Sequence, residues 1–294
     1  VGQHTIAEKV SCTGIGLHTG APVQLTLLPA RAGSGVVFVR TDCGDPVEVP
    51  ARAENLRATR RATILGRGDA TVGTVEHLLA ALYGLGVDNV RVEVDGPELP
   101  VMDGSAAPFV YLLRSAGLFP QQAPRPVLRV RRRIELTEGA QSAVIEPARS
   151  FRVQYAVEFG HPSIGRQELE IDAPDVERFE RELSAARTFG FLQDVDALQR
   201  EGLARGGSLA NTVVLDDRGV LNPDGLRWPD EFVRHKILDL FGDLAMLGAP
   251  IRGLVRIERG GHALHQRLVR TLLDHPQACH LEHGDVLGFL GDGP

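Results

Sequence analysis

A chain of 294 residues with 43% hydrophobic content can bury one large core or two moderate ones, and its length favours two domains. The 32 Lys and Arg against 38 Asp and Glu leave a net charge of −6, which argues against a broad nucleic-acid-binding face because phosphate affinity needs clustered cations. Three widely spaced cysteines form neither a disulfide framework nor a cysteine zinc site, so a cytoplasmic setting is expected. No run approaches the roughly 18 apolar residues of a membrane span, and any membrane contact would come from the surface.

Strand-like runs cover residues 23–27 and 36–40. A helix is expected from near Thr74 through Leu78, Leu79 and Leu82 to Gly84-Leu85-Gly86, with Thr74 placed to cap it and Glu76 in its first turn. A strand over 87–94 and a helix over 105–117 follow. Pro120, Gln121, Gln122, Pro124 and Pro126 then interrupt both periodicities, which sets a first domain at 1–119, a linker at 120–126 and a second domain at 127–294.

The second domain opens with strand-like runs at 127–136 and 151–159. Arg129, Arg131, Arg132 and Arg133 interleave with apolar residues there and read as an edge strand with a basic face. Residues 188–214 have no counterpart in the first half and read as an insertion, loop-like around Gly202, Gly206 and Gly207. Pro229, Asp230 and Glu231 open a helix with the stripe Val233, Ile237, Leu240, Phe241 and Leu244, closed by Gly248 and Pro250. A strand over 253–257 and a helix over 263–275 complete the unit. The recurring order implies duplication: an α+β chain of two domains, each a sheet covered by a helical layer.

Two segments carry chemistry. His235 and Asp239 are four apart and share a helix face, while His77 opens another helix beside Glu76. Two histidines and one carboxylate with a free position is the pattern of a catalytic metal site, with Glu76 as the natural proton acceptor. Each residue alone has an ordinary reading: a hydrogen-bonded core histidine for His77, a solvated stripe for His235, Asp239 and Asp243. Packing helix layer on helix layer would unite the two halves of the set at the domain interface.

The segments Gly14-Ile15-Gly16-Leu17-His18-Thr19-Gly20, Thr74-Val75-Glu76-His77-Leu78, Met102-Asp103-Gly104-Ser105-Ala106-Ala107-Pro108-Phe109, Ala186-Arg187-Thr188-Phe189-Gly190 and Phe232-Val233-Arg234-His235-Lys236-Ile237-Leu238-Asp239 resemble, in order, those of UDP-3-O-acyl-N-acetylglucosamine deacetylases, the zinc amidases of lipid A synthesis. The resemblance runs from about Ile6 to Leu273. It implies a duplicated sheet-plus-helix-layer sandwich with the active site between the domains and an acyl-chain-binding insertion in the second. It also implies zinc, with ferrous iron as the alternative, on His77, His235 and Asp239.

By the same resemblance Glu76 is the general base, His262 the second catalytic group and Asp243 its orienting carboxylate. Thr188 supports the oxyanion, Lys236 contacts the substrate head group, and Phe159 and Phe189 surround the sugar. Leu17 and His18 belong to the first motif, and His265 has a weaker claim. The implied partner is UDP-3-O-acyl-N-acetylglucosamine, taken by a monomer without nucleic acid.

Two positions depart from the pattern. Ala62 stands where some relatives have a cysteine, and no lysine lies near Gln141, which leaves Lys236, Arg187 and Arg259 as cations for the diphosphate. Two histidines and a carboxylate also describe a non-haem iron oxygenase, and a duplicated α+β fold can serve as a non-catalytic binding module.

Overall fold

The computed structural model describes residues 2–172 and 176–283, so the end of the expected second domain, 284–294, lies outside the described residues. The first half runs β1 (Gly2–Ile6), β2 (Val10–Ile15), β3 (Pro22–Pro29), β4 (Val36–Arg40), β5 (Val47–Pro50), three short strands β6 (Leu56–Ala58), β7 (Ile64–Arg67) and β8 (Ala70–Val72), helix α1 (Glu76–Leu85), β9 (Val90–Val94), α2 (Ala107–Ala116) and β10 (Leu118–Pro124).

The second half runs β11 (Pro126–Val130), β12 (Ile134–Glu138), β13 (Gln141–Glu146), β14 (Phe151–Glu158), β15 (Arg166–Asp172), α3 (Val176–Glu182), β16 (Phe189–Phe191), α4 (Leu192–Arg200), β17 (Val213–Leu215), α5 (Glu231–Leu244), β18 (Ile251–Glu258), α6 (His262–Asp274) and β19 (Cys279–His283).

The strand orders β2-β3-β9-β4-β5 and β12-β13-β18-β14-β15 are the same. In both, the third-listed strand is antiparallel to the second and parallel to the fourth. The pair β1–β10 likewise matches β11–β19. The expected duplication is therefore written in the topology. The insertion also has a counterpart: β6–β8 occupy in the first repeat the place that α3 to β17 occupy in the second, between the fifth strand and the first helix of the layer.

Three local expectations change. The proline-rich stretch is not an interruption but strand β10, whose only partner among the described residues is β1; an edge position tolerates the missing N–H of proline. The stretch 127–136 is two strands, and β11 lies between β18 and β19 rather than at an edge. Arg131, Arg132 and Arg133 fall at the turn after β11, and Arg129 pairs with Glu282 of β19. The insertion is only partly loop, since it holds β16, α4 and β17.

Helices α1 and α5 meet at the centre of the molecule. Nine of the ten residues of α1 and twelve of the fourteen of α5 are buried, as expected of helices covered on all sides. Helix α1 is Leu- and Ala-rich without a β-branched residue and ends on Gly86 in the left-handed conformation at φ 71°. Tyr83 of α1 and Phe151 of β14 both meet Phe241 of α5 edge-on or tilted, with centroids 5.6 Å away, and Phe179 of α3 stacks on it at 5.7 Å. These contacts fuse the two repeats into one hydrophobic core. The helices approach closely at Gly242, where a Cβ would lie 2.1 Å from the carbonyl oxygen of Glu76.

Candidate active site

That close approach brings the two sequence halves of the candidate metal set together. The ligand-type atoms of His77, His235 and Asp239 all lie within 4.8 Å of one another. Asp239 Oδ1 is 3.4 Å from His235 Nε2 and 3.9 Å from His77 Nε2. The polar stripe of α5, which has the spacing of a solvated face, is in fact buried: His235 and Asp239 are each 3% exposed and Asp243 is inaccessible.

The donor set fits a cation. Burial, with His235 as neighbour, pushes His77 down to about 3, and burial also lowers His235, so both imidazoles are neutral. His235 Nδ1 donates to the carbonyl of Ala186 at 3.0 Å, which fixes the tautomer and leaves Nε2 to face Asp239. Burial opposes ionisation of Asp239, but the charged Lys236 and His262 beside it outweigh that and hold the acid well below its usual range. Its Oδ1 is buried without a hydrogen-bond donor among the described residues, while Oδ2 accepts from Lys236 Nζ at 2.7 Å. A buried anionic oxygen with two neutral imidazole nitrogens beside it is a place for a metal ion.

Around this trio stand Glu76 and His262. His262 Nε2 is 3.8 Å from both Glu76 Oε1 and Asp239 Oδ2. Burial raises Glu76 to about 7, partly opposed by His262. For His262, burial is outweighed by Asp243 and then Asp239, and the imidazole is raised to about 9. Asp243 Oδ2 accepts from Nδ1 of His262 at 2.7 Å and of His265 at 2.8 Å. Because His265 Nδ1 donates there, its Nε2 accepts from the Tyr155 hydroxyl at 2.9 Å.

Of this network, sequence reasoning misses one member and barely registers another. Thr63 joins both Glu76 and Asp243, and nothing in its local sequence distinguishes it. His265 is legible only through its i, i+3 spacing from His262 on α6. Thr74 does not cap α1: its hydroxyl donates to buried Glu98 at 2.7 Å, and its own backbone is left-handed at φ 55°. Glu98 also accepts from the amides of His18 and Thr19, so one carboxylate ties the first motif to the start of α1.

A cavity of about 490 Å³ adjoins the trio, walled by Leu17, His18, Phe159, Thr188 and Phe189 together with the insertion. Phe189 meets the His235 ring edge-on at 6.2 Å. Thr188 is pinned by its N–H on the Gly104 carbonyl and by its own carbonyl, which accepts from the amide of Val213. The turn after β2 closes one side, with Gly206 N–H on the Leu17 carbonyl and Arg205 N–H on that of His18. Lys236 lies beside the trio, held on Asp239. Arg187 is not available to a diphosphate, because it is buried in an ion pair with Glu231 at 2.8 Å; Arg259 is more exposed but paired with Glu158.

A two-repeat α+β sandwich with buried acid–base groups around a place for one metal ion is the form of a metal-dependent hydrolase, and its helical site is unlike the double-sheet barrel of the oxygenase alternative. The chain belongs to the UDP-3-O-acyl N-acetylglycosamine deacetylase (LpxC) family, which it matches over residues 3–274. It is 53% identical to the UDP-3-O-acyl-N-acetylglucosamine deacetylase of Myxococcus xanthus, over 98% of this chain and 94% of that one. Identity to the proteins of the same name from Anaeromyxobacter sp. and Cellvibrio japonicus is 51% and 47%, over 95% and 94% of this chain and 90% and 91% of theirs.

Proposed function

We propose that this chain hydrolyses the N-acetyl group of UDP-3-O-acyl-N-acetylglucosamine, releasing acetate in lipid A biosynthesis, with zinc held by His77, His235 and Asp239. The observation that carries the reading is the buried convergence of those three residues with Glu76 and His262 at the contact of α1, α5 and α6. Zinc bound there lowers the pKa of water and polarises the amide carbonyl; ferrous iron is the alternative occupant. Glu76, in its ionised form, takes the proton of the attacking water. His262 gives the proton that turns the amine into a leaving group, and Asp243 keeps that imidazole charged and aimed. The Thr188 hydroxyl supports the negative charge that develops on the carbonyl oxygen.

Lys236 serves the polar head group, and Phe159 and Phe189 flank the sugar. Leu17, His18 and the insertion enclose the acyl chain. Of the apolar residues in the insertion, Phe191, Leu192, Val195, Leu198 and Leu209 line the cavity. No described helix is long and apolar enough to cross a membrane. The enzyme works as a cytoplasmic monomer without nucleic acid. Acetate release from UDP-3-O-acyl-N-acetylglucosamine, abolished by a strong chelator and restored by zinc, is the expected result; turnover indifferent to chelation, or no release at all, contradicts the proposal.

A further inference from the structure

The proposed base and acid belong to different repeats, and one buried residue outside both helices touches the two. Thr63 lies in the turn between β6 and β7 and is inaccessible to solvent. Its backbone N–H donates to Glu76 Oε2 at 3.1 Å, and its hydroxyl donates to Asp243 Oδ1 at 2.6 Å. With that proton committed, the hydroxyl oxygen, 3.2 Å from His262 Nδ1, is a second acceptor for the N–H that points at Asp243 Oδ2. The other donors to Asp243, from His262, His265 and Gln266, all come from α6 of the second repeat. Among the described residues Thr63 alone reaches that carboxylate from the first repeat, which also supplies Glu76.

We infer that Thr63 is a positioning residue that registers the acid pair of one repeat against the base of the other: the N–H fixes the Glu76 carboxylate while the hydroxyl fixes Asp243, and through it the direction of His262. The inference rests on the reading of Glu76 as base and His262 as acid. It also gives the β6–β8 insertion a task, that of carrying this residue to the seam.

Thr63→Val keeps the shape and the N–H and removes only the hydroxyl. A hydrogen bond to a buried charged group is worth about one factor of ten or more, so kcat should fall by ~10-fold or more while KM changes by less than about twofold. Thr63→Ser should return kcat to within about threefold of wild type. In a His262→Ala background, Thr63→Val should cost nothing further, because the group it aims is gone. Metal content and Tm are measured on every variant, and Thr63→Ala, read in the same two backgrounds, replaces Thr63→Val should that protein not fold. Unchanged kcat in Thr63→Val, an equal loss in the His262→Ala background, or failure of serine to rescue overturns the inference. Full activity of His262→Ala itself is a separate failure, that of the acid assignment.

Discussion

Gly242→Ala tests whether the separation of α1 and α5 sets the chemistry. A Cβ there would sit 2.1 Å from the Glu76 carbonyl oxygen, 2.8 Å from its carbonyl carbon and 2.9 Å from its Cα, all backbone atoms that no rotamer change can move. The helices must part by roughly 1 Å or more to restore ordinary contact. Overpacking of this kind costs ~1–3 kcal/mol, and the better helix propensity of alanine returns ~1 kcal/mol. The net loss of about 0–2 kcal/mol lowers Tm by at most ~8 °C in a chain of this size. The consequence for the site is larger. Glu76 and His77 ride on α1, while His235, Asp239 and Asp243 ride on α5. A 1 Å displacement between reacting groups can cost ~100-fold in rate. The expected variant is folded, turns over about 100-fold more slowly and loses metal faster on dialysis against a chelator. Wild-type turnover with wild-type metal retention would refute the link between helix spacing and catalysis.

His77→Ala should lose metal by elemental analysis although His235 and Asp239 remain, whereas Glu76→Gln should keep the metal and lose at least ~100-fold in turnover. The pH profile should be a bell. Glu76, raised to about 7, gains its base form as pH rises through the acid limb, and His262, raised to about 9, loses its proton as pH rises through the basic limb. A cation in the trio lowers both, so the limbs lie at or below those values, and His262→Ala should remove the basic one. A substrate without its acyl chain should lose kcat/KM by orders of magnitude, since each buried methylene is worth ~0.8 kcal/mol; equal efficiency on both substrates would show that the cavity does not read the chain.

The pieces legible in sequence were those that helical geometry fixes locally. His235 and Asp239 share a face by spacing alone, and Glu76-His77 heads a Leu- and Ala-rich helix whose end Gly86 marks. That the α5 stripe is buried was not legible, because periodicity records which side is polar and not what covers it; here α1 and α6 do. The proline run misled for a related reason. Proline removes a donor, yet a two-stranded pairing needs few, and β10 keeps His4 opposite Pro120 and Gly2 opposite Pro124. Strands as short as β6 and β8, three residues each, give too little alternation to detect. Without them Thr63 has no predictable address.

The duplication explains the remaining asymmetry of the site. Equivalent positions in the two repeats, between the fifth strand and the first helix of the layer, carry unlike insertions. The first brings Thr63 to a cluster of ionisable groups that would each be costly to bury unpaired. The second brings Phe191, Leu192 and Val195 to an apolar cavity. A reaction that must ionise small groups beside a long aliphatic chain needs both environments within one site. Two sheets of common topology can hold the central helices in register while their insertions diverge, so the polar and apolar walls vary without disturbing the contact at Gly242 between the helices that carry the trio.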